Sequence, residues 1–151
     1  MFADLRFLVV DDDISSIEGL SHLLGRLGAI KVSMARSGHE AFEILAKSRQ
    51  RFDCLISDVF MADGNGLELL HQIRTTSVAR SFRPDMSIVL MSGMASATIA
   101  DTARRLDANA FIVKPFTMHK LQATIAASRR RAFPLNRDRY IQIDTKELQV
   151  A

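Results

Sequence analysis

The sequence has no tryptophan, one tyrosine (Tyr140) and one cysteine (Cys54) among its 151 residues. A lone cysteine excludes an intrachain disulfide framework and any multi-cysteine metal site, and a reducing compartment fits it best. No run approaches the roughly 18 apolar residues of a membrane-spanning helix. The start, Met1-Phe2-Ala3-Asp4-Leu5-Arg6, lacks the charged, apolar, small-residue order of a secretory signal. A cytoplasmic location without membrane association is expected. Charge of one sign is scarce too: twenty Lys and Arg face seventeen Asp and Glu, a net +3, so net charge makes no case for nucleic acid. What is present is 48% hydrophobic residues with 25% charged. That is enough apolar surface for one packed core, and the length suits a single domain of roughly 100 to 200 residues with a short appendage.

Short apolar runs at Phe7 to Val10, Cys54 to Ile56, Ile88 to Met91 and Phe111 to Val113 each end at a polar residue. They read as interior strands of a parallel sheet. Ile30, Val32 and Met34 alternate with Lys31 and Ser33, as on an edge strand. Between the strands, Ile14, Ile17, Leu20, Leu24 and Leu27 recur at helical spacing, as do Leu67, Leu70 and Ile73, and then Leu121 and Ile125. Gly28 suits the end of the first helix, and Gly38 and Gly66 the starts of later ones. Strand then helix, five times over, predicts a doubly wound α/β domain with five helices, over residues 1–133. Residues 75–87 read as an extended polar loop, and residues 134–151 as a C-terminal extension.

Ligands of open α/β sheets bind beyond the carboxyl ends of the strands. There stand Asp11, Asp12, Asp58, Ser92 and Lys114. Singly each has an ordinary reading: an acidic pair beside a helix N-terminus, a turn serine, a solvated lysine. Together at successive strand ends they form a cluster. Three close carboxylates raise one another's pKa values, a cost that a divalent cation and Lys114 together relieve. Hard oxygen donors with no nearby cysteine and no helical histidine pair favour Mg²⁺ over zinc. Mg²⁺ beside a carboxylate points to phosphoryl transfer, with Asp58 the candidate nucleophile.

Leu8-Val9-Val10-Asp11-Asp12-Asp13, Ile56-Ser57-Asp58-Val59-Phe60-Met61, Met91-Ser92-Gly93 and Val113-Lys114-Pro115-Phe116 resemble the four signature segments of response-regulator receiver domains of two-component phosphorelays. The resemblance spans about residues 5 to 131 and is closest to the single-domain, chemotaxis-regulator type. It implies a flavodoxin-like sheet of order 2-1-3-4-5. It implies that Asp58 accepts a phosphoryl group from a sensor histidine kinase or a histidine phosphotransfer protein. Asp11, Asp12, Asp58 and the backbone carbonyl of Phe60 would hold Mg²⁺. Ser92 and Lys114 would contact the phosphoryl oxygens. Ser92 and the aromatic Phe111 would then switch a face that binds a downstream protein target. Asp13 falls outside the site, where it suits a helix cap. Ala62 and Asn65 depart from the family's usual proline and acidic residue without touching the cluster.

Three other classes are weaker. An aspartyl phosphatase needs a second acid two residues after its nucleophile, where Phe60 stands and cannot transfer a proton. A nucleotide binder would meet repulsion from Asp11-Asp12-Asp13. A DNA-binding reading rests on Arg129-Arg130-Arg131, Arg137 and Arg139, but an arginine run also complements a helix C-terminus, and direct DNA binding is not expected. In the extension, Phe133, Leu135, Tyr140, Ile141 and Ile143 need a cover. Tyr-Ile-Gln-Ile is strand-like in propensity, and packing in a two-fold homodimer is the expectation, with docking on the same subunit or a loose tail as the alternatives.

Overall fold

The computed structural model describes residues 2–76, 86–94, 96–130 and 136–145. Its strands are β1 (Arg6–Val10), β2 (Lys31–Ala35), β3 (Cys54–Asp58), β4 (Ser87–Ser92) and β5 (Ala110–Val113). All pair in parallel, in the order β2-β1-β3-β4-β5. The apolar runs are thus strands, and the alternating run lies at an edge. Helices are α1 (Ile14–Arg26), α2 (Gly38–Lys47), α3 (Gly66–Thr75), α4 (Ala97–Arg105), α5 (Met118–Arg130) and α6 (Arg137–Ile141).

Period-two alternation divides the core between the two faces of the sheet. Phe7, Val9, Cys54 and Ile56 join Ile17, Leu20 and Leu24 of α1 and Leu121 and Ile125 of α5 on one face. Leu8, Val10 and Leu55 join α2, α3 and α4 on the other. Each helix after a strand begins on a side-chain cap: Asp13 accepts from Ser15 N, Ser37 from Glu40 N, Asn65 from Glu68 N, Ser96 from Ile99 N and Thr117 from Lys120 N. Asp13 therefore caps α1, as its position outside the site suggested.

Two helices end alike. Past α1, Gly28 takes the left-handed conformation at φ 97°, and past α4 Asp107 does so at φ 55°. Around Asp107 the amide of Ala108 reaches the Ala103 carbonyl at 2.9 Å and that of Asp107 reaches Arg104 at 3.0 Å, the paired bonds that close a helix on a left-handed residue. A side chain in that conformation costs roughly 1 kcal/mol or more relative to glycine, so Asp107 stands where glycine is usual. From the neighbouring helix, the buried Arg74 donates to the carbonyls of Leu106 at 3.2 Å and Asp107 at 2.6 Å.

The extension departs from expectation. Arg137–Ile141 is a sixth helix, not a strand. Asn136 caps it, and the Tyr140 hydroxyl donates to Asp107 Oδ2 at 2.5 Å while the ring is fully buried. The interior asks for a partner for that hydroxyl and a place for the ring, and this tertiary demand outweighs local β propensity. Tyr140 and Ile143 join the same core as α3. The described arm therefore packs on its own subunit, the first of the alternatives to the homodimer named above. Phe133 and Leu135 lie outside the described residues, as does most of the proposed 75–87 loop, whose ends belong to elements: Thr75 closes α3 and Ser87 opens β4.

Gly66 shows how tightly the end of β3 is built. A Cβ there would lie 2.3 Å from the Asp58 carbonyl oxygen, whereas one on Gly19 of α1 would meet nothing within 4 Å. Gly66→Ala is therefore expected to lower stability by about 2 kcal/mol through overpacking. Gly19→Ala should raise it by about 0.5 to 1 kcal/mol through helix propensity. Urea unfolding of the two variants checks the contrast.

Candidate functional site

Of the five residues singled out at the strand ends, Lys114, Asp11 and Asp58 meet directly, while the side chains of Asp12 and Ser92 take other partners. Asp11 follows β1 and is buried, its amide donating to the Ala35 carbonyl at 3.1 Å on the adjacent strand. Asp58 ends β3, where Val59 N is bound to the Met91 carbonyl at 2.9 Å and Gly66 N to the Val59 carbonyl at 2.9 Å. Ser92 ends β4, and Lys114 follows β5 with its amide on the Ser92 carbonyl at 2.8 Å. These backbone bonds lock three strand ends side by side before any side chain is considered.

Lys114 then joins two of the carboxylates. Its Nζ lies 3.1 Å from Asp58 Oδ2 and 3.2 Å from Asp11 Oδ2. The other oxygen of Asp11 accepts from Asp13 N at 3.0 Å. Asp12 is less buried and turns toward the loop after β3, where its Oδ2 accepts from Ala62 N at 2.9 Å. The Ser92 hydroxyl closes on its own loop, donating to the Met94 carbonyl at 2.9 Å and accepting from Met94 N at 3.0 Å. Phe60 is half-buried two residues past Asp58, and Phe111 of β5 is half-buried against the α3 side of the core, neither fully enclosed nor free.

The electrostatics follow from burial. Asp58 is held above the usual carboxylate range, chiefly because burial disfavours its charge. Lys114 pulls it back without cancelling that effect, and Asp11 adds to the rise. For Lys114, burial alone would lower the pKa, but the two carboxylates outweigh it and the ammonium is held above its ordinary value. The two directions agree: the pair attracts, yet one ammonium does not offset burial and a neighbouring like charge at Asp58. Three carboxylates against one ammonium leave the cluster short of positive charge.

That shortfall is the test of fit for a cation. Among the described residues no three carboxylate or imidazole groups converge on one point, since Asp12 is engaged by Ala62 N while Asp11 and Asp58 share Lys114. Mg²⁺ needs only one or two protein carboxylates, with water and carbonyl oxygens completing its shell. Asp11, Asp58 and the neighbouring oxygens meet that requirement. Sequence reasoning missed Ala62 N as the partner of Asp12. It also missed Arg36, whose guanidinium lies 3.4 Å from the Asp12 carbonyl. A backbone donor leaves no mark on residue type, and Arg36 comes from an edge strand that carried no motif.

A family model described as the response regulator receiver domain matches residues 7–126. The chain is similar to the transcriptional regulatory protein ZraR of Klebsiella oxytoca, 35% identical over 120 residues, which are 79% of this chain and 25% of that protein. Among solved structures it is similar to the chemotaxis response regulator CheY4 of Vibrio cholerae, with TM-score 0.71 and 30% identity over 82% of this chain and 98% of that one. It is also similar to a response regulator protein from Burkholderia pseudomallei determined with a phosphorylated aspartic acid, a calcium ion and citrate. The TM-score there is 0.70 and the identity 26%, over 83% of this chain and 69% of that one. The chain spans between a quarter and about half of the length of the first curated relatives it matches, 25% of one and 53% of the next.

The raised pKa of Asp58 carries a sign that can be tested. Between the ordinary carboxylate range and its raised value the folded state binds the proton that the unfolded state has lost, so stability rises as pH falls from neutrality into that window. Asp58→Asn lacks this dependence, while Lys114 keeps Asp11. Without divalent cations the variant should be more stable than wild type at neutral pH by about 1 kcal/mol, because a buried charge is replaced by a neutral isostere. The gap should close as pH falls toward the ordinary range. Urea unfolding across pH measures it.

Proposed function

Because the chain belongs to the response-regulator receiver family, we propose that Asp58 accepts a phosphoryl group from the phosphohistidine of a sensor histidine kinase or phosphotransfer protein. The observation that carries this reading is the Lys114 ammonium bound at once to Asp58 and Asp11 at the carboxyl edge of the sheet, with Ser92 at the end of the adjacent strand. In the transfer, an Asp58 carboxylate oxygen forms a bond to phosphorus as the phosphorus–nitrogen bond breaks, and the departing imidazole takes a proton. Burial keeps the carboxylate poorly solvated, which favours its use as a nucleophile.

Asp11, Asp12, Asp58 and the Phe60 carbonyl would hold Mg²⁺. When bound, it supplies charge neutralisation for the transferring group. Lys114 orients Asp58 and offers its ammonium to a phosphoryl oxygen. The product replaces one negative charge with about two. To donate to the new oxygens the Ser92 hydroxyl must release the Met94 carbonyl, where its single proton is used, and Phe111 on the adjacent strand would follow a shift of that loop. This is the step that would alter the surface read by a downstream protein.

A groove of about 450 Å³ beside Asp11 and Lys114 is lined by Ser15, Ser16, Gly19, Leu20, Leu23 and Phe116. Its small and apolar side chains suit a helix of the phosphodonor lying along α1, a cytoplasmic encounter. The arginine run favours a structural role over contact with DNA. Arg129 and Arg130 close α5, where positive charge complements the helix dipole, and Arg129 donates to the Asp53 carbonyl at 3.3 Å. Arg139 is tied to Asp107.

Acetyl phosphate with Mg²⁺ is expected to add one phosphoryl group, and Asp58→Asn to abolish it, by intact mass. Undiminished labelling of the variant would reject the assignment.

The lifetime of that group should be long. Phe60 is half-buried and Met94 is 55% exposed beside the site, both apolar and unable to orient water. Replacing them together, Phe60→Asn with Met94→Glu, should speed phosphate loss by roughly tenfold, about 1.4 kcal/mol of barrier. A phosphate-affinity gel time course measures the decay.

A further inference from the structure

α4 meets the rest of the domain through few side chains: within it only Ile99, Thr102 and Ala103 are buried, and Ala103 offers one methyl group. Its position therefore depends on its two ends. The N-terminal end is capped by Ser96, two residues after Met94, whose amide and carbonyl hold the Ser92 hydroxyl. The C-terminal end is Asp107. Where α1 closes on a glycine, α4 closes on a left-handed aspartate, and such a residue persists where the surroundings demand its side chain. The demand is visible: Oδ2 of Asp107 accepts both the Tyr140 hydroxyl at 2.5 Å and the Arg139 guanidinium.

Both donors come from α6, a helix of five residues. A helix so short is not stable alone, so its order depends on its dock. That dock consists of the Asp107 carboxylate and the core that takes Tyr140 and Ile143.

We propose that α6 is an intramolecular strap that holds α4 where the Ser92 hydroxyl stays bound to its own loop, and that phosphorylation of Asp58 weakens the strap. The proposal rests on the reading of Asp58 as phosphoryl acceptor. When Ser92 leaves Met94 for a phosphoryl oxygen, the loop leading to Ser96 shifts and carries the first turn of α4 with it. A nine-residue helix is a rod about 13 Å long, so displacement at one end is felt at the other. There Asp107 must move against Arg139 and Tyr140. Linkage makes the effect reciprocal: a phosphoryl group that loosens the strap is bound more readily when the strap has been loosened beforehand.

The test uses the full chain, Mg²⁺ and acetyl phosphate. Tyr140 is the only tyrosine and there is no tryptophan, so the near-ultraviolet tyrosine signal reports this contact alone. Tyr140→Phe keeps the buried ring and removes only the hydroxyl. On labelling of wild type, the Tyr140 signal should shift, and amide hydrogens of residues 137–143 should exchange about tenfold faster. At equilibrium with acetyl phosphate, Tyr140→Phe should reach a ratio of phosphorylated to unphosphorylated protein about fivefold higher than wild type, at the low end of usual coupling between sites. Labelling of Asp58 with an unmoved Tyr140 signal, unchanged exchange and an unchanged ratio in the variant overturns the strap and leaves the acceptor reading standing. Failure of Asp58 to be labelled at all overturns both.

Discussion

An ammonium nitrogen 3.1 Å from one buried carboxylate and 3.2 Å from another holds the functional edge of this molecule together. Lys114 reaches across from β5 to residues at the ends of β1 and β3, so the contact exists only when the strands lie in the order β2-β1-β3-β4-β5. Remove the ammonium and two buried like charges face each other with no counterion, a strongly unfavourable arrangement in a poorly solvated site. Keep it and the cluster is still short of positive charge, since burial continues to hold Asp58 above the usual carboxylate range.

The backbone prepares this contact. Val59 N on Met91, Gly66 N on Val59 and Lys114 N on Ser92 join successive strand ends beyond or at the limit of the sheet ladder. Gly66 is required there because the chain turns back against the Asp58 carbonyl with no room for a side chain. A site assembled this way joins its carboxylates through Lys114, while the hydroxyl of Ser92 is satisfied within its own loop by Met94.

The far ends of the helices are organised differently. Arg74 draws together the carbonyls of Leu106 and Asp107, and Arg139 and Tyr140 take the carboxylate of Asp107, so residues from α3, α4 and α6 share one polar knot at the amino edge of the sheet. α4 lies between this knot and the site, with little apolar surface of its own to fix it. Stability at one edge and chemistry at the other are thereby joined through the least anchored helix.

The strands, their parallel alternation with helices and the meeting of Asp11, Asp58 and Lys114 were legible in the residues, while the strand order followed from the family resemblance. Apolar runs of three or four residues followed by Asp, Ser or Lys carry a punctuation that survives any packing, and parallel strands must bring such ends to one edge. Side-chain caps such as Asp13 were legible for the same local reason. The arm was not. Tyr140 to Ile143 has a strand's propensity and becomes a helical turn and its exit, because the buried Tyr140 hydroxyl finds a carboxylate in Asp107, 33 residues away in the chain. Nor could residue types show that Asp12 would be turned to the amide of Ala62, since every residue but proline carries the same backbone donor. What the sequence determined by itself was the alternation of elements and the chemical types at strand ends, which depend on neighbours a few positions apart. What only the tertiary structure decided was which distant polar groups share a partner, because burial makes every hydroxyl, guanidinium and carboxylate seek one, and that choice depends on the whole packed interior.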